Sequence, residues 1–141
     1  MAAPPAAGPH GGIKIGELAH RCGLPVKTLR YYEDLGLLPA AGRSPGSYRL
    51  FGERSLQRLE FIRRLKNLGL SLEEIRECLA AHDAGQLPCA DVQRLLRQQI
   101  RRVDERLAEL QQLRGELKEL LANWRSEPQP LDSVICPNLR V

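Results

Sequence analysis

The sequence predicts a mainly α chain: a winged helix-turn-helix head followed by a long C-terminal coiled-coil helix. Three observations predict it. Two short amphipathic segments flank a glycine at residue 23, a Gly/Ser/Pro-rich turn between apolar pairs follows at 37–51, and apolar residues recur in heptads from Leu96 to Trp124. The 141 residues suffice for one small head and one long helix, not for two full globular cores. Only 4% of residues are aromatic and 27% are charged, which suits surface-rich helices better than one large core.

The elements read in order. Residues 1–12, MAAPPAAGPHGG, have nothing to bury and predict a disordered tail. Ile15, Leu18, Ala19 and Cys22 fall at helical spacing, and Gly23 stops that helix. Pro25 suits the opening turn of a second helix, which carries Val26, Leu29 and either Tyr32 or Glu33 inward and ends at Gly36. Lys27, Thr28, Arg30 and Tyr31 are left on its outer side. A second helix of this kind enters the major groove and presents its N-terminal residues to base edges. In 37–51, LLPAAGRSPGSYRLF, the turn signals predict a hairpin with Arg43 at the tip and Tyr48 and Arg49 on the return strand. Basic residues on such a wing track phosphates.

A third helix is expected over 52–68. Leu56, Leu59, Ile62 and Leu65 point inward, Arg58, Arg63, Arg64 and Lys66 outward, and Gly69 is the stop. Ser71 and Glu74 form a capping box for a fourth helix running to about Ala81. HDAGQLP, residues 82–88, reads as a polar bridge. From Pro88 the last helix begins. Leu96, Ile100, Val103, Leu107, Leu110, Leu117, Leu121 and Trp124 step by four and three, broken only at Arg114. No other apolar face is left to cover this seam, so it predicts a homodimer. A helix from 89 to 124 spans about 50 Å at about 1.5 Å per residue. The domain reading is therefore a tail (1–12), a DNA-binding head with two further helices (13–87), a dimerisation helix (88–125) and a short C-terminal tail that carries Cys136 (126–141).

Charge supports the placement of function. Residues 13–69 carry eleven Lys/Arg against five Asp/Glu, whereas 70–125 carry nine against ten. The basic excess of a chain with net charge +4 thus sits in the head, the footprint expected of a duplex-DNA partner. Enzyme classes are disfavoured: there are no paired carboxylates near a His, no Gly-rich phosphate loop and no nucleophile with an orienting base. No apolar stretch is long enough to span a bilayer, and the N-terminus lacks the basic flank and apolar block of a signal peptide. The expectation is a cytoplasmic protein without a membrane partner.

IGELAHRCGLPVKTLRYYEDLGLL, SYRLF and LQRLEFIRRLKNLGLSLEEIRECL together resemble the MerR family of bacterial transcription regulators, and with the long helix they cover nearly the whole chain. GSYR departs slightly at the wing, where the family usually has Gly directly before the aromatic. The resemblance implies an antiparallel dimer on a promoter with an overlong spacer. It implies activation by bending and untwisting that DNA, so that RNA polymerase reads both promoter elements, at a deformation cost of roughly 1–10 kcal/mol. An effector at the helix ends shifts the balance between two head orientations.

Four cysteines are present without a CxxC pair. Cys22 and Cys78 fall on apolar helix faces and read as core. Cys89 opens the long helix, one heptad before Leu96, and Cys136 follows it. Metal-sensing members of the family have one Cys opening the long helix and others in a loop after it. In an antiparallel pair Cys89 of one chain faces the tail of the other. Two thiolates suit linear Cu(I) or Hg(II), a soft metal on soft ligands. NWRSEPQP, just after the helix, has no Cys, and a tetrahedral zinc site wants more ligands than Cys89 and Cys136 supply. Cys78 or His82 joining the site stays open. So do a thiol redox switch and an architectural DNA-binding role with no effector. The operator and the regulated genes are not legible.

Overall fold

The structure, a computed structural model, describes residues 12–40, 42–43, 45–46 and 49–139. The tail before Gly12 and Tyr48 of the wing lie outside the described residues. The elements are α1 (Ile15–Cys22), α2 (Val26–Asp34), β1 (Gly42–Arg43), β2 (Arg49–Leu50), α3 (Glu53–Asn67), α4 (Leu72–Asp83), α5 (Cys89–Ala122) and a 3-10 turn, Pro137–Leu139. The chain divides into two compact units, one ending at Leu95 and the other beginning at Leu96.

In the first unit, α1 and α2 pack at a tight turn. Gly23 takes φ 69°, a left-handed conformation that costs glycine little, and its N–H bonds back to Ala19. Pro25 precedes α2 as its N-cap. The wing is a two-stranded antiparallel ribbon pairing Gly42 with Leu50 and Arg43 with Arg49. Ile13 adds a bridge to Phe51 through two backbone hydrogen bonds of 2.8 Å. The segment before α1 thereby ties down the strand leaving the wing.

The core gathers Leu18, Leu29, Tyr32, Leu37, Leu38, Phe51, Leu59, Ile62, Leu65, Ile75 and Leu79. Each fully buried aliphatic side chain contributes about 1.5–3 kcal/mol. Leu56, expected inward, is only half-buried, and Ser55 is buried instead, its Oγ accepting from the Gly52 N–H at 3.4 Å. The capping box of α4 forms as its sequence requires: Ser71 Oγ accepts from Glu74 N–H, and the Glu74 carboxylate accepts from Ser71 N–H.

Three expectations need correction. Arg58 does not point to solvent. Its side chain is 10% exposed, Nε donates to the Leu37 carbonyl at 2.8 Å, and Nη1 and Nη2 reach Asp83 at 2.5 and 3.3 Å. His82 and Asp83 belong to α4, not to a polar bridge. The capping box and the Arg58 contact both favour extending that helix. Finally, α5 ends at Ala122, so Trp124 lies beyond the regular helix, in a last turn closed by Trp124 N–H to Leu121 O at 3.2 Å.

The opening of α5 belongs to the head. Leu95 is 1% exposed, sharing the core with Ile75, Cys78 and Leu79, and Val92 packs against it. Arg94 adds ion pairs to Glu77 at 3.7 Å and Asp91 at 3.8 Å. Of the adjacent Leu95 and Leu96, one fills the head and the other begins the seam.

In the second unit, α5 from Leu96 onward has no buried residue. Ile100, Val103, Leu107, Leu110, Leu117, Leu121 and Trp124 are exposed in the single chain, and Leu96 is half-buried. Leu113 and Leu120 are exposed as well. The sequence reading missed these two because it followed one strict heptad. Steps from Leu110 to Leu113, Leu117 and Leu120 carry the apolar stripe past Arg114. Among the described residues no helix is long and apolar enough to cross a membrane.

Candidate functional site

On α2, Leu29 and Tyr32 are buried, which leaves Lys27, Arg30 and Tyr31 exposed and Thr28 half-exposed. The helix is anchored by its apolar face and offers the expected polar one. Burial pushes the Tyr32 phenol up, so its hydroxyl stays neutral. The Tyr31 and Tyr32 rings are 6.4 Å apart at 40°. In the wing Arg43, expected at the hairpin tip, lies instead in β1 opposite Arg49, and both are exposed. Arg49 is held by Glu33 of α2 through Nη1 and Oε1, a link that sequence spacing gave no means to see.

A second basic region also went unread. Arg21, Arg63 and Arg64 line a groove of about 410 Å³ between α1 and α3, together with Cys22 and Asn67. Arg63 donates to the Cys22 carbonyl, tying α3 to the end of α1. Cys22, expected in the core, is half-buried at this groove, and its thiol lies 3.6 Å from the Ala19 carbonyl.

All four cysteines are free. Cys78 is fully buried. Burial pushes its thiol up, and the carboxylates of Asp91 and Glu77 push the same way. It lies in the apolar core with Ile75, Leu79 and Leu95. His82 is exposed on the last turn of α4. Cys89 is exposed at the first position of α5. Cys136 is half-buried beside the 3-10 turn of the second unit. There Asn138 holds the chain just past the end of α5: its Oδ1 accepts from Arg125 N–H and its Nδ2 donates to Arg125 O, both at 2.9 Å. Among the described residues of the single chain, no three or more His, Cys, Asp or Glu side chains gather to hold a metal ion.

Residues 13–82 match the family model described as MerR HTH family regulatory protein, and residues 56–120 match the one described as MerR, DNA binding. The chain belongs to the MerR family. MerR-family proteins are transcription regulators, not enzymes, and this chain is one of them. It is 38% identical over 128 residues to an uncharacterised HTH-type transcriptional regulator of Pseudomonas aeruginosa, covering 91% of this chain and 94% of that one. It is 33% identical to the mercuric resistance operon regulatory protein of Bacillus cereus, covering 89% of this chain and 92% of that one. Its fold is similar to that of the regulator PbrR691 from Ralstonia metallidurans, solved in complex with lead(II), with a TM-score of 0.74 and 38% identity over 83% of this chain and 91% of that one.

Proposed function

We propose that this MerR-family regulator binds promoter DNA as a homodimer and switches transcription when a thiophilic metal ion binds Cys89 of one chain and Cys136 of the other. Lys27, Thr28, Arg30 and Tyr31 on α2 read the major groove, and the wing that carries Arg43, Tyr48 and Arg49 lies along the backbone. RNA polymerase meets the regulator on the shared promoter and reads the distorted spacer. The apolar stripe of α5 supports the dimer. A monomer seldom leaves a row from Ile100 to Trp124 in water, and a second copy of the same stripe covers it.

The observation that carries the sensing reading is the sorting of the thiols. Cys78 is buried and Cys22 sits at the head's own groove, while Cys89 is exposed at the start of α5 and Cys136 is half-buried past its end. Two thiolates fit linear Cu(I) or Hg(II), whereas zinc wants four ligands. The mercuric and lead-bound relatives point to the same soft-metal class. An ion at Cys89 would act on the head directly, because Val92 and Leu95, one and two turns on, are packed into its core.

Titration of the full-length protein with Hg(II), Cu(I), Zn(II) and peroxide, while promoter conformation is followed, tests this. Hg(II) or Cu(I) should bind at one ion per dimer end with thiolate charge-transfer absorption. Cys89→Ser and Cys136→Ser should each remove that signal and the transcriptional response and leave basal DNA binding intact. If both variants respond as the parent does, the two thiols are not the sensor. A response to peroxide alone would replace the metal by a redox couple.

A further inference from the structure

In the wing ribbon Arg43 stands directly opposite Arg49. Like charges facing across two strands destabilise a ribbon, and one with two residues in each strand has little else to hold it. Only one of the two guanidiniums is compensated. Arg49 is paired with Glu33 on α2, whereas Arg43 makes no ion pair among the described residues. Glu33 is a committed partner. Its side chain is 13% exposed, and its second oxygen, Oε2, is buried with no hydrogen-bond partner among the described residues. A carboxylate desolvated to that degree is tolerated only beside its cation.

We propose that the two wing arginines divide their work. Glu33 holds Arg49 as a positioning residue that locks the wing to α2, and Arg43 alone neutralises a DNA phosphate from the wing. This rests on reading α2 and the wing as the DNA interface. The division follows from charge: the Arg49–Glu33 pair is neutral as a unit and displaces no counterion from the duplex, whereas Arg43 brings a full charge. Locking the wing fixes the angle at which Arg43 meets the backbone. Loss of Arg49 therefore weakens binding without changing the number of ionic contacts.

Phosphate contacts are independent of sequence, so the salt dependence of binding to a fluorescent generic duplex reads them one by one. Arg43→Gln should flatten the slope of log K against log salt by about one. Arg49→Gln should weaken binding by about fivefold and leave the slope at the parental value. Glu33→Gln frees the Arg49 guanidinium and should steepen the slope by about one. The double variant Glu33→Gln with Arg49→Gln should bind no more weakly than Arg49→Gln alone. If Arg49→Gln does not fold, Arg49→Lys replaces it, with the parental slope again expected. A slope flattened by about one in Arg49→Gln, or an unchanged slope in Glu33→Gln, overturns the division of roles. If Arg43→Gln and both other variants keep the parental slope while binding persists, the wing is not at the DNA. That result overturns the interface reading itself, and the assignment of Arg43 with it.

Discussion

The side-chain amide of Asn138 binds both polar backbone groups of Arg125, accepting from its N–H and donating to its carbonyl at 2.9 Å each. The amide thus imitates a strand partner. It closes the thirteen-residue step from the end of α5 to the 3-10 turn and fixes the backbone two residues after Cys136. Two such bonds contribute about 1–3 kcal/mol locally. Asn138→Ala should therefore open the loop and speed modification of Cys136 by a water-soluble disulfide about tenfold or more, with little change in global unfolding. Asn138→Asp keeps the acceptor and loses the donor, so it should fall between parent and Ala. Equal Cys136 rates in all three proteins would mean that the clamp does not govern the thiol.

The stripe on α5 predicts assembly. Leu107 is exposed in the single chain and sits mid-way along the row. Leu107→Glu places a charge from each copy in a dry seam and should raise the dimer dissociation constant by at least about a hundredfold. Sedimentation would then show monomers at concentrations where the parent is dimeric. Glu105→Gln, on the far side of the helix, should leave assembly unchanged. A dimer that survives Leu107→Glu would place the interface elsewhere.

These relationships also show what a sequence can and cannot carry. Periodicity and local capping determine a helix within a few residues of itself, so Ser71 with Glu74, and Leu59 with Ile62 and Leu65, were readable. Contacts distant in the chain were not. Ile13 pairs with Phe51, Glu33 with Arg49, and Arg58 with Asp83, and no local pattern selects those partners. Arg58 was assigned to solvent because its charge was weighed without the Leu37 carbonyl that takes it in. Leu95 escaped notice because a doublet of leucines fits either a seam or a core, and only the packing of α5 on α4 decides between them. At the candidate sensing site, the exposure of Cys89 was legible from its place at the start of the long helix, whereas the half-burial of Cys136 beyond that helix was not. The Asn138 clamp was not, because it joins an amide side chain to a peptide thirteen residues earlier.

Buried Cys78 makes stability sensitive to alkali. Its thiol is raised by burial and by Asp91 and Glu77, from an ordinary value of 9.0. A group raised in the folded state favours folding fully below its unfolded value, and that contribution is lost as pH rises through the folded value. Unfolding free energy should thus fall from about pH 9 upward, by at most about 1.4 kcal/mol per pH unit from this one proton. Tyr32, raised from 10.0, adds to the loss at higher pH. Cys78→Ala should be less stable at neutral pH through lost packing, yet show a shallower decline between about pH 9 and 10. Parallel declines in the two proteins would mean that the thiol ionises as freely folded as unfolded.

Arg58 joins three parts of the head: α3 on which it lies, the Leu37 carbonyl after α2, and Asp83 in the last turn of α4. The guanidinium suits this place because its fork reaches a carboxylate with two nitrogens while Nε serves a carbonyl at the same time. An ammonium has the charge but not the span. Arg58→Lys should lose the Leu37 bond or the Asp83 pair and cost about 1–3 kcal/mol in urea unfolding. Asp83→Asn should cost less, since Asp83 is half-exposed and the Leu37 bond remains. Combined, the two changes should cost less than their sum, because they remove one shared interaction. A surface arginine would behave differently, with a loss within about 0.5 kcal/mol for Arg58→Lys and no coupling to Asp83. Observing that pattern would return Arg58 to the solvent-facing row where helical periodicity alone puts it.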